Sequence, residues 1–376
     1  MSEQMKSKQN FEKRNLGEEE LEVEVNRIAG DKYGKITLTE VLAGGVVSDI
    51  YRAKVIALDG SEKMIVVKYT KPNIPAGGNF TYSDIEHAFS LAQPVHNLDV
   101  EIQGQLDTAT PKIIEHFSEE HITLMEDFTA EGYKLLQFRL LEDETTSTQM
   151  FALGRTLAKL QKEFVSKLQG ISSIEEARWQ FEERFFELKA LLYNGRVDIF
   201  NEIQDDFLGR NKEYSGLIWT DGDQKNFALT DQGEVLAFDF GRSIVCDPDF
   251  MPANLAGHLG LFVIAGYLMV DNIETMLNSF LQEMKRDIPE YVFSEQKIVN
   301  YFTASLLHRG LAMRWVDKRL ADKIGEDSLK QASMHFGDEV FSPKKRVVTL
   351  TEAFSLLKTI AQFAQEGQYK RPNINI

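Results

Sequence analysis

The sequence has 376 residues, of which 43% are hydrophobic and 27% are charged, and its formal net charge is −16 at pH 7. This composition predicts a globular protein with room for more than one core, and the acidic balance argues against nucleic-acid binding, which requires clustered Lys and Arg. The single cysteine, Cys246, excludes an internal disulfide and a thiolate metal site, and it favours a reducing, cytoplasmic location.

The N-terminal segment, residues 1–30, is polar and charged. It predicts a mobile segment, and it lacks the apolar stretch of a signal peptide. The longest uncharged apolar run in the chain, 255–270, contains His258 and is shorter than the roughly 20 residues that span a bilayer. We interpret that run as a buried helix and expect no association with a membrane.

The region 31–127 is predicted to be rich in β-structure. Apolar and β-branched residues alternate with polar ones between short turns, a pattern typical of strands. A helix is predicted to begin at Ser83 or Asp84, where a capping residue is followed by Glu86. The predicted strands are 36–42, 46–58, 64–69, 113–117 and 121–125.

The region 128–376 is predicted to be mainly helical because its apolar residues recur with a period of 3.6. The fold class is therefore α+β, with a small antiparallel β lobe followed by a large, mainly helical lobe. The predicted helices are 150–168, 174–193, 255–270, 273–285, 296–320 and 350–365.

One β-hairpin is predicted within the helical region, from two apolar runs around Asp231-Gln232-Gly233. Asn226 precedes the first run and Asp239 follows the second, so the hairpin should bring these two residues together. Asp221 lies five residues before Asn226 on the entering loop. Such a group of oxygen ligands with spare negative charge suits Mg²⁺ held together with a polyphosphate.

The order Asp221-x4-Asn226, hairpin, Asp239-Phe240-Gly241 resembles the catalytic loop and metal motif of protein kinases and of small-molecule kinases related to aminoglycoside phosphotransferases, choline kinases and methylthioribose kinases. The small-molecule branch is favoured because only the hairpin separates the two motifs, and because Cys246-Asp247-Pro248 is similar to its Gly-Asp-Pro. The resemblance implies a bilobal protein-kinase-like fold, with Asp221 as the catalytic base and with Asn226 and Asp239 as Mg²⁺ ligands.

The same resemblance implies an ATP site in the β-rich region. Gly44 and Gly45 lie in the turn that corresponds to the phosphate-covering flap, and Lys68 ends the third strand, where it would pair with the α- and β-phosphates. Glu86 is the expected acidic partner of Lys68, with Glu101 as the alternative. The main chain of a hinge segment would read the adenine edge, and this segment consists of Glu126, Asp127 and Phe128.

Each of these features also has an ordinary structural interpretation. A glycine pair is common in hairpin turns, a lysine at a strand end is often solvated, and a loop rich in Asp and Gly is often only a turn. Asp223 and Lys225 are assigned no fixed role, since contact with substrate or phosphate and exposure to solvent both fit. Asp249 and Asn254 are the nominees for the acceptor side.

Two departures from the family pattern bear on function. Trp219 stands where the family has a His two residues before the catalytic Asp, and Asn254-Leu255-Ala256 stands where an Asp is expected after the Asp-Pro pair. The predicted function is ATP-dependent, Mg²⁺-dependent phosphorylation of a hydroxyl on a small molecule of the aminoglycoside, amino-alcohol or sugar class. The alternatives are a nucleotide-binding pseudokinase scaffold and a kinase-fold enzyme that modifies a protein. The oligomeric state is left open.

Overall fold

The structure is a computed structural model, and it describes residues 16–44, 48–71, 97–107, 110–168, 197–208, 216–241, 243–289, 291–311 and 318–369. These residues form two compact units. The sheet unit takes the described residues of Met1–Gln105, Thr110–Gly132 and Phe238–Arg242, and the helical unit takes those of Leu106–Ala109, Tyr133–Ala237 and Ser243–Ile376. The sheet unit extends past residue 127 to Gly132, and the chain returns to it at Phe238.

The sheet unit is built on a five-stranded antiparallel sheet in the order β1-β2-β3-β5-β4. Its inner strand β3 is buried on both faces, since residues 65–70 are all buried. Each of the five predicted strands is confirmed. Their bounds are β1 Lys35–Gly44, β2 Ser48–Ile56, β3 Glu62–Thr70, β4 Ile113–Phe117 and β5 Ile122–Glu126.

A helix, α1, Glu18–Tyr33, covers the edge strand β1. It corrects the expectation of a mobile segment at 1–30 for residues 18–30, whereas residues 1–15 lie outside the described residues. It buries Leu21, Val25 and Ala29 in the core of the sheet unit, whereas Val23 between them is 70% exposed. The Asn26 side chain bonds both main-chain groups of Ile36, donating to its carbonyl at 2.6 Å and accepting from its N–H at 2.9 Å. These bonds satisfy main-chain groups at the edge of the sheet that could otherwise pair with another strand.

The helical unit confirms the second half of the α+β prediction. It also holds two small antiparallel sheets, β6-β8-β9 and β10-β7. A further helix, α2, over residues 97–105, belongs to the sheet unit. The helices of the helical unit are α3 Leu136–Leu141, α4 Ser147–Lys167, α5 Val197–Phe207, α6 Phe250–Ile264, α7 Val270–Asp287, α8 Glu295–Leu311, α9 Lys318–Ile324, α10 Glu326–Val340 and α11 Leu350–Gln365, and its strands are β6 Lys134–Leu135, β7 Gly216–Trp219, β8 Phe227–Leu229, β9 Val235–Ala237 and β10 Ser243–Cys246.

The helix α6 is buried along its whole length, as expected of the apolar run at 255–270, but it begins at Phe250 and ends at Ile264. None of the helices within the described ranges combines the length and the apolar composition needed to cross a membrane. The predicted helix 174–193 and the predicted helix start at Ser83 or Asp84 lie outside the described residues. The sequence pattern missed α2, α3, α5 and α10.

The predicted hairpin is confirmed as β8 and β9, with Phe227 opposite Ala237 and Leu229 opposite Val235. Gly233 has a φ of +84°, a left-handed conformation that a glycine adopts without steric cost. Arg139 holds the turn, because its Nη2 donates to Asp231 Oδ1 at 2.7 Å and its Nε donates to the carbonyl of Leu229 at 2.9 Å.

Candidate active site

The predicted site residues are divided between the two units. In the sheet unit, Lys68 lies in β3 and is buried. Its Nζ donates to Asp99 Oδ2 and to Asp239 Oδ1, in both cases at 2.8 Å. A buried ammonium needs such partners because burial of an unpaired charge is costly. Lys68 is therefore not a solvent-exposed lysine at the end of a strand, which was the alternative interpretation of the sequence.

Asp99 is an acidic partner of Lys68 that sequence reasoning missed. It lies in α2 and is buried together with Ile102, which follows one turn later. The predicted partner Glu86 lies outside the described residues, and the alternative Glu101 is exposed. The signal that could have found Asp99 is its spacing of three residues from Ile102, which places both on one face of a helix.

The charges around Lys68 shift two pKa values. Burial by itself lowers the pKa of Lys68, but the charges of Asp239 and Asp99 outweigh burial, so the net change raises that pKa. Burial also raises the pKa of Asp99, an effect that Lys68 opposes and Asp239 reinforces. One ammonium serves two carboxylates, so this cluster has a formal excess of one negative charge.

The Asp-Phe-Gly segment is fixed within the sheet unit. The N–H of Phe240 donates to Asp99 Oδ1 at 2.6 Å, and the ring of Phe238 stacks on Phe128 at a centroid distance of 5.6 Å. Asp239 has a φ of +69°, which is uncommon for a residue other than glycine and which Asp tolerates better than most. Its side chain is 36% exposed, against 6% for Lys68 and 5% for Asp99.

The predicted hinge begins where β5 ends. Glu126 closes the strand, and its N–H donates to the carbonyl of Lys112 at 2.9 Å. Asp127 is buried and accepts from Arg52 Nε at 2.8 Å and from the N–H of Thr129 at 3.0 Å. Asp127 therefore sets the main-chain path that leads from β5 into the short helix Phe128–Glu131.

The predicted glycine flap is described only in part. Gly44 is the last residue of β1 and lies opposite Asp49 of β2, so the two strands do form a hairpin at this point. Gly45 lies outside the described residues.

The predicted catalytic loop lies in the helical unit. Asp221 and Asn226 are buried at 7% and 3% exposure. Asn226 Nδ2 donates to the main-chain carbonyl of Asp221 at 2.7 Å, and the N–H of Asp223 donates to the same carbonyl at 2.8 Å. The predicted base and the predicted metal ligand are thus fixed to each other through the loop that connects them.

Trp219, in the place of the family's His, is fully buried at the end of β7. Its ring packs on Phe227 at a centroid distance of 5.1 Å. A Cβ added at Gly222 would lie 3.3 Å from Trp219 Cε3, so the indole passes directly beneath the loop. Trp219 supports the catalytic loop by packing.

The residues nominated for the acceptor side are buried. Asp249 accepts from the hydroxyl of Tyr291 at 2.6 Å. Asn254 Nδ2 donates to the carbonyl of Thr220 at 3.3 Å, and its Oδ1 accepts from Ser305 at 2.9 Å. Asn254 thereby holds the residue that precedes Asp221. These contacts are typical of residues that position the loop.

Among known proteins, similarity to this chain is found only with solved structures. No protein-family model matches the sequence, and no curated protein sequence matches it. The chain is similar to an aminoglycoside 2′-phosphotransferase in complex with GDP, with a TM-score of 0.48, 13% identity and coverage of 86% of this chain and 100% of that one.

Two further similar structures are described as a kinase and as a phosphotransferase. An ethanolamine kinase from Plasmodium vivax has a TM-score of 0.46 at 11% identity, covering 92% of this chain and 89% of its own. A macrolide 2′-phosphotransferase from Brachybacterium faecium has a TM-score of 0.44 at 14% identity, covering 87% of this chain and 100% of its own. Because each TM-score is below 0.5, the functional interpretation of this chain rests on its own residues.

Proposed function

We propose that the chain is an ATP-dependent phosphotransferase, similar to the small-molecule kinases related to aminoglycoside phosphotransferases and choline kinases. It transfers the γ-phosphoryl group to a hydroxyl of a small molecule and uses Mg²⁺. The observation that carries the proposal is the buried Lys68, bonded at 2.8 Å both to Asp99 and to Asp239 of the Asp-Phe-Gly segment.

The charges of this cluster fit a magnesium nucleotide. Two carboxylates around one ammonium leave excess negative charge, and the partly exposed side chain of Asp239 is the one available to a cation. Mg²⁺ is commonly held by one or two protein side chains, with phosphate and water oxygens completing its shell. No group of three or more His, Cys, Asp or Glu side chains suited to a metal occurs among the described residues, so a site shared with phosphates is the arrangement that fits.

The predicted roles follow from this assignment. Asp239 and Asn226 would hold Mg²⁺, which neutralises charge on the phosphates when bound. Lys68 and the Gly44-Gly45 turn would bind the phosphates, with Asp99 holding Lys68 in place. The adenine edge would be read by main-chain groups of the hinge, Glu126, Asp127 and Phe128.

The transfer step is assigned to Asp221 in the helical unit. Its carboxylate orients the acceptor hydroxyl and takes the proton as the hydroxyl oxygen bonds to the γ-phosphorus and the bond to the leaving oxygen of ADP breaks. The acceptor belongs to the aminoglycoside, amino-alcohol or sugar class. A cytoplasmic location is part of the proposal, because the one cysteine, Cys246, is a buried free thiol.

The test is a screen of phosphate transfer from ATP with Mg²⁺ against aminoglycosides, choline, ethanolamine, methylthioribose and homoserine, with products identified by mass spectrometry. Once the screen has identified the acceptor, Asp221→Asn should lower kcat by about 10²–10⁴-fold, as expected for a positioned acid–base group. The affinity for ATP should stay near that of the wild type.

The matched control is Asp271→Asn, which changes an exposed acid of α7 and should leave kcat unchanged. An Asp221→Asn protein with wild-type kcat would contradict the assignment of the base. Binding of MgATP by the wild type without transfer to any acceptor or to water would instead support the pseudokinase alternative that Trp219 suggests.

A further inference from the structure

A buried polar cluster lies behind the catalytic loop of the helical unit, and the proposed chemistry does not use it. This Asp223 cluster consists of Asp223 in the loop, His258 in α6 and Arg309 in α8, with Lys225 at its edge. Asp223 and His258 have exposures of 1% and 3%. Arg309 Nη2 donates to Asp223 Oδ2 at 3.1 Å, and Arg309 Nε donates to His258 Nε2 at 3.1 Å.

The packing of two helices brings His258 and Arg309 together. Gly257 lies where α6 crosses α8, and a Cβ at this position would lie 2.6 Å from the Phe302 carbonyl oxygen. Without a side chain at Gly257 the two backbones can approach closely. The next residue in the chain, His258, then lies within hydrogen-bonding distance of Arg309, which follows Ser305 by about one helical turn.

The bond from Arg309 also indicates the tautomer of a neutral His258 imidazole. Nε2 accepts a hydrogen bond, so in a neutral imidazole the proton is on Nδ1. That nitrogen lies 3.8 Å from Asp223 Oδ2. Arg309 Nη2 and His258 Nδ1 thus both face the same oxygen of the loop, Asp223 Oδ2.

Asp223 is the residue through which this cluster acts on the loop. Its Oδ1 accepts from the N–H of Lys225 at 3.0 Å, and its carbonyl accepts from the N–H of Asn226 at 3.0 Å. Its own N–H donates to the carbonyl of Asp221 at 2.8 Å. Asp223 is therefore bonded directly to the proposed base and to the proposed metal ligand.

Two cationic side chains lie beside the acids of this part of the loop. Asp221 and Asp223 face Lys225 and Arg309, and Lys225 Nζ lies 3.3 Å from Asp223 Oδ2 and 4.0 Å from Asp221 Oδ2. A buried carboxylate that already has a guanidinium at 3.1 Å is held in place by it and does not need a ligand. These contacts indicate a positioning role.

We propose that Asp223, Arg309 and His258 act as positioning residues that fix Asp221 and Asn226 for the transfer step. In this chain they supply the polar support of the catalytic loop, while Trp219 supplies the apolar support. This inference rests on the proposed function. It adds three residues that no sequence motif had assigned to the reaction.

The test compares Asp223→Asn, Arg309→Gln and the double variant. Each single change should lower kcat by about 10–100-fold, with the affinity for ATP measured without Mg²⁺ within about twofold of wild type, because the nucleotide-binding residues of the sheet unit are untouched. The double variant should be at most about threefold slower than the slower single variant, since both changes break the same interaction, the one between Arg309 and Asp223. A purely structural role would lower the melting temperature and leave kcat per folded molecule unchanged.

Arg286→Gln is the matched control, because Arg286 is an exposed arginine of the same unit that pairs only with its neighbours Glu283 and Asp287 among described residues. It should retain wild-type kcat. If Arg309→Gln does not fold, His258→Asn takes its place, with an expected loss of about threefold to tenfold because its contact with Asp223 is longer. Wild-type kcat in the single variants, or losses that multiply in the double variant, would overturn the proposal.

A second measurement needs no acceptor and so separates this inference from the proposed function. Mg²⁺ is titrated into the protein with saturating ATP in a calorimeter. Asp223→Asn and Arg309→Gln should weaken Mg²⁺ binding by a similar factor, about tenfold, because Asn226 is bonded to Asp223. Equal Mg²⁺ affinity in wild type and variants contradicts the positioning role, whereas absence of phosphate transfer by the wild type contradicts the proposed function alone.

Discussion

Each unit contains a lysine between two aspartates; Lys68 is buried and Lys297 is half-buried. In the sheet unit Lys68 bonds Asp99 and Asp239, both at 2.8 Å. In the helical unit Lys297 of α8 lies 2.5 Å from Asp206 Oδ1 and 3.2 Å from Asp247 Oδ2. The composition and the formal charge of the two clusters are the same.

The difference lies in the exposure of the acids. Asp247 is fully buried and the Asp206 side chain is 10% exposed, whereas the Asp239 side chain is 36% exposed. The Lys297 cluster joins α5, α8 and the segment after β10, so it ties elements together. A lysine between two acids is therefore not by itself a phosphate site. The partly exposed acid makes the Lys68 cluster the candidate for binding a ligand.

The largest effect that tests this comparison is expected from Lys68→Met. Removal of the ammonium should lower kcat/KM for ATP by about 10²–10³-fold, as for loss of one preorganised charged donor in an active site. Steady-state kinetics with varied MgATP measures it. Lys297→Met serves as the matched variant and should keep kcat within about twofold of wild type. Similar losses of activity in both variants would remove the distinction between the clusters.

The next effect is on stability, and it is expected from Lys297→Met. Two buried carboxylates would lose their shared cation, which should lower the free energy of unfolding by about 3 kcal/mol. Urea denaturation measures this change. Lys285→Met, at an exposed lysine of α7, is the control and should change stability by less than about 0.5 kcal/mol. An unchanged unfolding midpoint in Lys297→Met would show that this cluster does not hold the helices together.

The smallest expected effect is the pH dependence of the stability loss in Lys297→Met. Burial raises the pKa of Asp206 and Lys297 counteracts it, so the pKa should rise further in Lys297→Met. A carboxyl with a raised pKa in the folded state costs stability when it is ionised, and that cost disappears as pH falls through the folded pKa. The stability gap to wild type should therefore be smaller at about pH 5 than at about pH 8. A gap that is constant or grows at the lower pH would contradict the role of Asp206.

Much of the sheet unit follows from local sequence patterns. Alternating apolar and polar residues mark the strands of this unit, and Lys68 follows an apolar run near the end of β3, so the place of Lys68 could be predicted. The hairpin of β8 and β9 has its own turn signal at Asp231-Gln232-Gly233. These features depend on neighbours in the chain, and the structure confirms each of these elements.

The contacts that could not be predicted join residues distant in the chain. Asp99 reaches Lys68 across 31 positions and Arg309 reaches Asp223 across 86, and no local pattern marks either pair. The helix α1 was missed for a different reason. Leu21, Val23 and Val25 fit either a strand or the start of a helix, and only the burial of Leu21, Val25 and Ala29 against the sheet shows the helical period.

The central claim is that the Lys68 cluster binds a magnesium nucleotide through Asp239, and calorimetry of ATP binding with and without Mg²⁺ tests it most directly. Wild type and Lys297→Met should bind ATP more tightly with Mg²⁺, by a factor that Asp239→Asn reduces to near one. An Asp239→Asn protein that keeps the full Mg²⁺ dependence of ATP binding would contradict the account.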